Sequence, residues 1–162
     1  GRKWERCSDR SPVIDLGPVM TSLTDYPLVV SGDSDLLGLA VRELVRNSLE
    51  ANRSSETDIF VAVNRSEWEG ECRSEGVISL DFGLSRGVAA VISVVDSGVG
   101  MELPLLEIAP ELFFSTKLAH AGLGLPAIIG VARSHRGAFE LRTSVGKGTS
   151  ARLYLPLAPG FR

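Results

Sequence analysis

A nearly unbroken apolar run from Val88 to Val95 closes on Asp96-Ser97-Gly98-Val99-Gly100-Met101, and no other stretch restricts the fold as much. The run reads as a strand, so one carboxylate stands at a strand end with a glycine-hinged turn beyond it. A carboxylate so placed can accept a hydrogen bond from an exocyclic amine such as that of adenine. The glycines on either side of Val99 let backbone approach a flat ligand without a Cβ in the way, and allow positive φ. A strand followed by D-x-G is also an ordinary turn, and this segment alone does not separate the two.

Upstream, Ser34 to Asn52 reads as a helix, with Leu37, Ala40, Val41, Leu44, Ser48 and Ala51 at three- and four-residue spacing. Asp33 or Ser34 can cap its start. Glu43 and Asn47, four apart, stack on one side of the helix beside the buried stripe. That spacing lets a carboxylate and an amide oxygen reach one bound ion or water. Magnesium suits such a site, because it takes hard oxygen ligands and shares substrate phosphates. Taken singly, the pair reads first as a solvated helix edge.

Downstream, Gly122-Leu123-Gly124-Leu125-Pro126 is a glycine turn entering a helix that runs to His135, with Gly137 just past its end. Free backbone N–H groups and the positive end of the dipole make such a start a phosphate site. Before it, Phe113-Phe114-Ser115-Thr116-Lys117 offers two aromatic anchors, two hydroxyls and a positive charge, or simply a packed Phe pair with a polar turn. Ala138–Ser144 and Thr149–Leu157 alternate as two strands around Val145-Gly146-Lys147-Gly148, a hairpin signal.

In this order the pieces resemble the nucleotide-binding domain shared by sensor histidine kinases, gyrase, MutL and heat-shock chaperones, the GHKL ATPases. Glu43–Asn47 with Ala51 is similar to the N box and Asp96–Gly100 to the G1 box. Phe113–Lys117 is similar to the F box, Gly122–Leu125 to the G2 box, and Gly146-Lys147-Gly148-Thr149 to the closing glycine–threonine motif. The likeness runs from about Asp33 to Pro156. Its F box and its ending resemble the nitrogen-regulator branch of the histidine kinases.

The resemblance implies a two-layer α/β sandwich of the Bergerat type, with a mixed, largely antiparallel sheet and helices on one face. It places strands near Leu28–Val30, Asp58–Val63, Val77–Phe82, Val88–Val95, Ala138–Thr143 and Thr149–Leu155. Helices Asp35–Asn52 and Pro126–His135 cover them, and a lid spans Met101–Ala121. It also implies roles. Asp96 binds the adenine amine with Thr149 in support, and Gly98 and Gly100 leave room for the base. Asn47 holds magnesium, and Glu43 polarises the acceptor near the γ-phosphate of ATP. Arg46, Gly122, Leu123 and Gly124 line the phosphates, and Lys117 closes over them.

Several positions depart from the family pattern. His120-Ala121 replaces the usual glycine–threonine before the G2 glycines, and Glu50 stands where many kinases carry a lysine. The gap from Asn47 to Asp96 is long. Its excess, Arg65–Arg86, reads as a polar loop through Trp68 and Cys72 followed by an extra strand, an enlarged hairpin on the periphery.

The 162 residues are 44% hydrophobic, enough for one core, read here as a linker or remnant over 1–15 and one domain over 16–162. A net charge of −3, without basic residues clustered among aromatics, argues against a nucleic-acid surface. No apolar stretch is long enough to span a bilayer and no signal peptide is visible, and Cys7 and Cys72 lack metal spacing; a cytoplasmic location is expected. Neither His120 nor His135 sits in the paired-helix context of a phosphoacceptor. The chain therefore reads as a monomeric ATP-binding half whose substrate histidine lies on a dimerisation domain outside this sequence, with a response regulator downstream. The alternatives keep the fold: a free-standing regulator such as an anti-sigma-type serine kinase, a nucleotide-gated binding module, or a degenerate interaction domain.

Overall fold

The computed structural model describes residues 19–52, 58–102 and 124–161. Six strands form one sheet: β1 Val19–Leu23, β2 Ile59–Trp68, β3 Val77–Asp81, β4 Gly87–Asp96, β5 Ala138–Ser144 and β6 Gly148–Leu155. Their spatial order is β1-β2-β4-β6-β5-β3, with β1 parallel to β2 and every other pair antiparallel. Helices α1 Ser34–Ala51 and α2 Leu125–Ser134 cover one face. This is the mixed, two-layer sandwich expected.

Helix α1 starts where Asp33 Oδ1 accepts the N–H groups of Asp35 and Leu36 at 2.9 and 3.1 Å, giving two orphan donors a partner. It buries Leu37, Ala40, Leu44 and Ser48 of the stripe read from spacing, together with Val45, which that reading left out; Val41 and Ala51 are half-buried. Helix α2 opens on Gly124 in the left-handed region, carries Pro126 in its first turn, and buries Leu125, Ile128, Ile129, Val131 and Ala132. Alternation along the strands sends Ile59, Val94, Phe139, Leu141 and Leu153 toward these helices. Each such side chain contributes about 1.5–3 kcal/mol by leaving water.

Three expectations need correction. The first strand is Val19–Leu23; Leu28–Val30 supplies only a bridge from Val30 to Leu157. Most of β1 is exposed, so no alternation marked it in the sequence. The stretch from Arg65 is no loop at first, because β2 continues to Trp68 through polar residues paired with β4. Nor is Arg65–Arg86 a hairpin: β3 leaves β2 and pairs with β5 at the opposite edge of the sheet.

The reason is packing. Trp68 is buried against Tyr154, ring centroids 4.8 Å apart, in a second cluster with Leu84, Ala89, Val91 and Ala138 on the face away from the helices. Its Nε1–H donates to Asp81 Oδ2 at 3.3 Å, and Asp81 Oδ1 accepts from Gly83 and Leu84 N–H. On the same face, buried Glu140 accepts two hydrogen bonds from Arg142, at 2.8 and 3.0 Å. That bonding, with the carboxylate charge, raises the Arg142 pKa above the ordinary arginine value.

The segment 1–15 and the expected lid lie outside the described residues, apart from Met101 and Glu102. Among the described residues, no helix is long and apolar enough to cross a membrane.

Candidate nucleotide site

Asp96 is the last residue of β4, and the register sets it beside Thr149 on β6 and Ile59 on β2. It shares the face of Val94, so its carboxylate points into the helix layer rather than to solvent. There it is only 5% exposed and almost fully subscribed. Oδ1 accepts the N–H of Gly98 at 2.9 Å and that of Thr149 at 3.3 Å; Oδ2 accepts the hydroxyl of Ser48, on α1, at 2.9 Å. A carboxylate oxygen has two acceptor positions, so one remains on Oδ2.

Asp96 also lines a cavity of about 340 Å³ between α1 and the sheet. Leu44, Leu125, Leu141 and Ala151 supply apolar surface; Asn47, Ser48, Asp96 and Thr149 supply the polar groups. Small-molecule sites have this composition and size, about 300–1,000 Å³.

The turn after β4 fits because two glycines lack side chains. A Cβ on Gly98 would lie 2.6 Å from Asn52 Oδ1 and 3.0 Å from the carbonyl of Ala51, at the end of α1. Gly100 has φ +69°, and a Cβ there would strike the carbonyl of Ser144 in the β5–β6 hairpin. The hairpin also holds the turn through Gly146 N–H to the Val99 carbonyl, 2.8 Å.

Along α1, Asn47 lines the cavity and its Oδ1 is buried without a hydrogen-bond partner. A buried amide oxygen without a partner, on a residue that lines the cavity, is a hard donor of the kind magnesium takes, so the residue type suits the ion. One turn earlier, Glu43 is mostly covered and forms an ion pair with Arg46, whose Nε also lies 3.7 Å from Glu50 Oε1. Gly124 sits against this pair: a Cβ would fall on Glu43 Oε2. The carboxylate thus meets the positive end of α2.

The structure therefore gathers Asn47, Asp96, Gly100 and Thr149 around one cavity, with Gly98 bonded behind Asp96 and Glu43, Arg46 and Gly124 grouped at the start of α2. Lys117, Gly122 and Leu123 lie outside the described residues. Sequence reasoning missed Ser48 and Thr143. Ser48 carried a usable signal, since a serine on a buried stripe must find a partner. Thr143 carried none: its hydroxyl meets Met101 N–H at 2.9 Å and Thr149 Oγ1 at 3.0 Å only after three segments assemble. His135 is not a site residue. Its Nδ1 is 2.8 Å from the Val131 carbonyl and its Nε2 accepts from Asp33 N–H at 3.0 Å, so both nitrogens are spent on structure.

Fold and cavity together define a two-layer α/β sandwich with a small-molecule site between helix and sheet. The chain belongs to the family described as Histidine kinase-, DNA gyrase B-, and HSP90-like ATPase, which matches residues 32–159. It is 37% identical over 144 residues to the sensor histidine kinase ZraS of Escherichia coli O157:H7, covering 85% of this chain and 31% of that protein. Sporulation kinase B of Bacillus subtilis is 27% identical over 133 residues, 82% of this chain and 26% of the kinase. The chain thus spans less than a third of these curated relatives. The catalytic domain of histidine kinase ThkA, solved free of nucleotide, has the same fold: TM-score 0.59 and 21% identity, over 89% of this chain and 81% of that one. The fold is that of histidine-kinase catalytic domains.

Proposed function

We propose that this chain binds magnesium–ATP and passes the γ-phosphoryl group to a histidine on a dimerisation domain outside the sequence, as the catalytic domain of a two-component sensor kinase. The observation that carries the reading is the single unfilled acceptor position on the buried Asp96, which lines the same cavity as Asn47, a residue whose Oδ1 has no hydrogen-bond partner. An adenine amine fills that position.

The residues then divide the work. Asp96 and Thr149 fix the base, and Gly98 and Gly100 keep the turn close enough to do so. Glu43 orients the incoming imidazole, which is nucleophilic enough to need little proton removal. Arg46 exchanges its bonds to Glu43 and Glu50 for phosphate oxygens. Gly122, Leu123 and Gly124 offer backbone N–H groups to the phosphates, and Lys117 adds charge over the γ-phosphate. Asn47 would hold magnesium, which would supply charge neutralisation to the phosphates. Positioning and charge neutralisation suffice for this transfer. The domain is monomeric and cytoplasmic on this reading, allied to the nitrogen-regulator branch, and a response regulator takes the phosphoryl group onward.

Calorimetric titration with ADP and a non-hydrolysable ATP analogue, with and without magnesium, tests the proposal. Magnesium-dependent binding that Asp96→Asn abolishes supports it; no binding at millimolar nucleotide overturns it and leaves an interaction module.

A further inference from the structure

The register of β4, β6 and β5 lines up Asp96, Thr149 and Thr143 in one cross-strand row facing the helices. Only the first two line the cavity. The third is a hydroxyl with nothing left to give. Thr143 Oγ1 accepts the N–H of Met101 at 2.9 Å, donates to the carbonyl of Gly148 at 3.1 Å, and lies 3.0 Å from Oγ1 of Thr149. A hydroxyl has one proton and two lone pairs. The Gly148 carbonyl can only accept, so the Thr143 proton goes there, and Met101 occupies one lone pair. The contact with Thr149 is then made by the Thr149 proton on the second lone pair.

This bookkeeping fixes the polarity of the site. With its proton turned toward Thr143, Thr149 has only lone pairs left for a ligand. Asp96 likewise has only an acceptor position left. The side chains of Asp96 and Thr149 therefore offer the cavity acceptors and no donor. The backbone behind Thr143 is pinned as well, its N–H donating to the Gly76 carbonyl at 2.9 Å, so the row is held from outside the site.

We propose that Thr143 is a positioning residue for base specificity: by taking the Thr149 proton it keeps the site acceptor-only, which selects a purine bearing a 6-amino group over one bearing a 6-carbonyl. The inference rests on the adenine-nucleotide reading above and adds to it a residue that does not touch the ligand.

Titration of the parent, Thr143→Val and Thr143→Ser with ADP and with IDP, its 6-carbonyl counterpart, is the test. In the valine variant the Thr149 proton is released to the cavity and can donate to a 6-carbonyl. The ratio of ADP to IDP affinity is expected to narrow about tenfold, while the serine variant keeps the parent ratio. A purely structural role would weaken both ligands alike, and an unchanged ratio in the valine variant overturns the inference. Should that variant not fold, Thr143→Ala is read by the same criterion. If the parent binds ADP and only the ratio fails to move, this inference falls alone; if the parent binds no ADP, the nucleotide reading falls with it.

Discussion

The imidazole of His135 takes the backbone N–H of Asp33 on Nε2 at 3.0 Å, fastening the end of α2 to the residue that caps α1. With Nδ1 against the Val131 carbonyl at 2.8 Å, the ring carries its proton on Nδ1 and bridges the two helices that flank the cavity. Gly32 makes the bridge possible, since a Cβ there would occupy the ring position.

Gly32→Ala therefore displaces His135, and we expect a loss of about 1–3 kcal/mol, as for other overpacked sites. His135→Ala leaves the Asp33 N–H without its partner and costs a comparable amount, about 1–3 kcal/mol. The double variant should be less destabilised than the sum, because both changes break one contact. Urea unfolding measures all three; a Gly32→Ala midpoint equal to the parent's would remove the ring from this role.

At the carboxylate, Asp96→Asn places an amide among donors and is expected to lower ADP affinity by at least about tenfold. Ser48→Ala removes one hydrogen bond, costing about 1 kcal/mol of stability, and leaves the Asp96 carboxylate in place. Its ADP affinity should stay within a few-fold of the parent, as calorimetry will show. Equal losses in the two variants would mean that Ser48, not Asp96, meets the ligand.

Asn47→Ala separates metal from fold. Its Oδ1 makes no hydrogen bond in the protein, so unfolding stability should change by less than about 0.5 kcal/mol. ADP binding should persist and lose its dependence on magnesium. Magnesium-dependent binding in this variant would assign the ion elsewhere.

Trp68→Ala should destabilise the domain by about 3–5 kcal/mol by emptying the cluster around Tyr154. Because that cluster lies on the face away from the helices, ADP affinity measured below the melting transition should match the parent. A large loss of affinity would show that the second cluster shapes the cavity.

Local rules made the site legible wherever one segment contains its own reason. The stripe and cap of α1, the apolar strand ending on Asp96, and the Gly146-Lys147-Gly148 turn were readable because spacing and turn chemistry act within a few residues. What stayed hidden depends on partners far along the chain. β1 is exposed on most of its length, and Asn64–Glu67 is polar because that end of β2 faces solvent, so neither shows a strand's alternation. The partner of β3 is a choice between two sheet edges, and the buried ring of Trp68 decides it. Thr143 is an ordinary strand threonine until Met101, Gly148 and Thr149 converge on its hydroxyl.

The placement of β3 also orders events in time. A chain leaving the ribosome can join β2 to β4 early, but β4 and β3 then wait for β6 and β5, which are made after both. Until that half emerges, one edge of β4 and the whole of β3 lie open to other strands. Folding of this domain should be slow for its size and sensitive to truncation near Gly148, where the strand that closes the sheet begins.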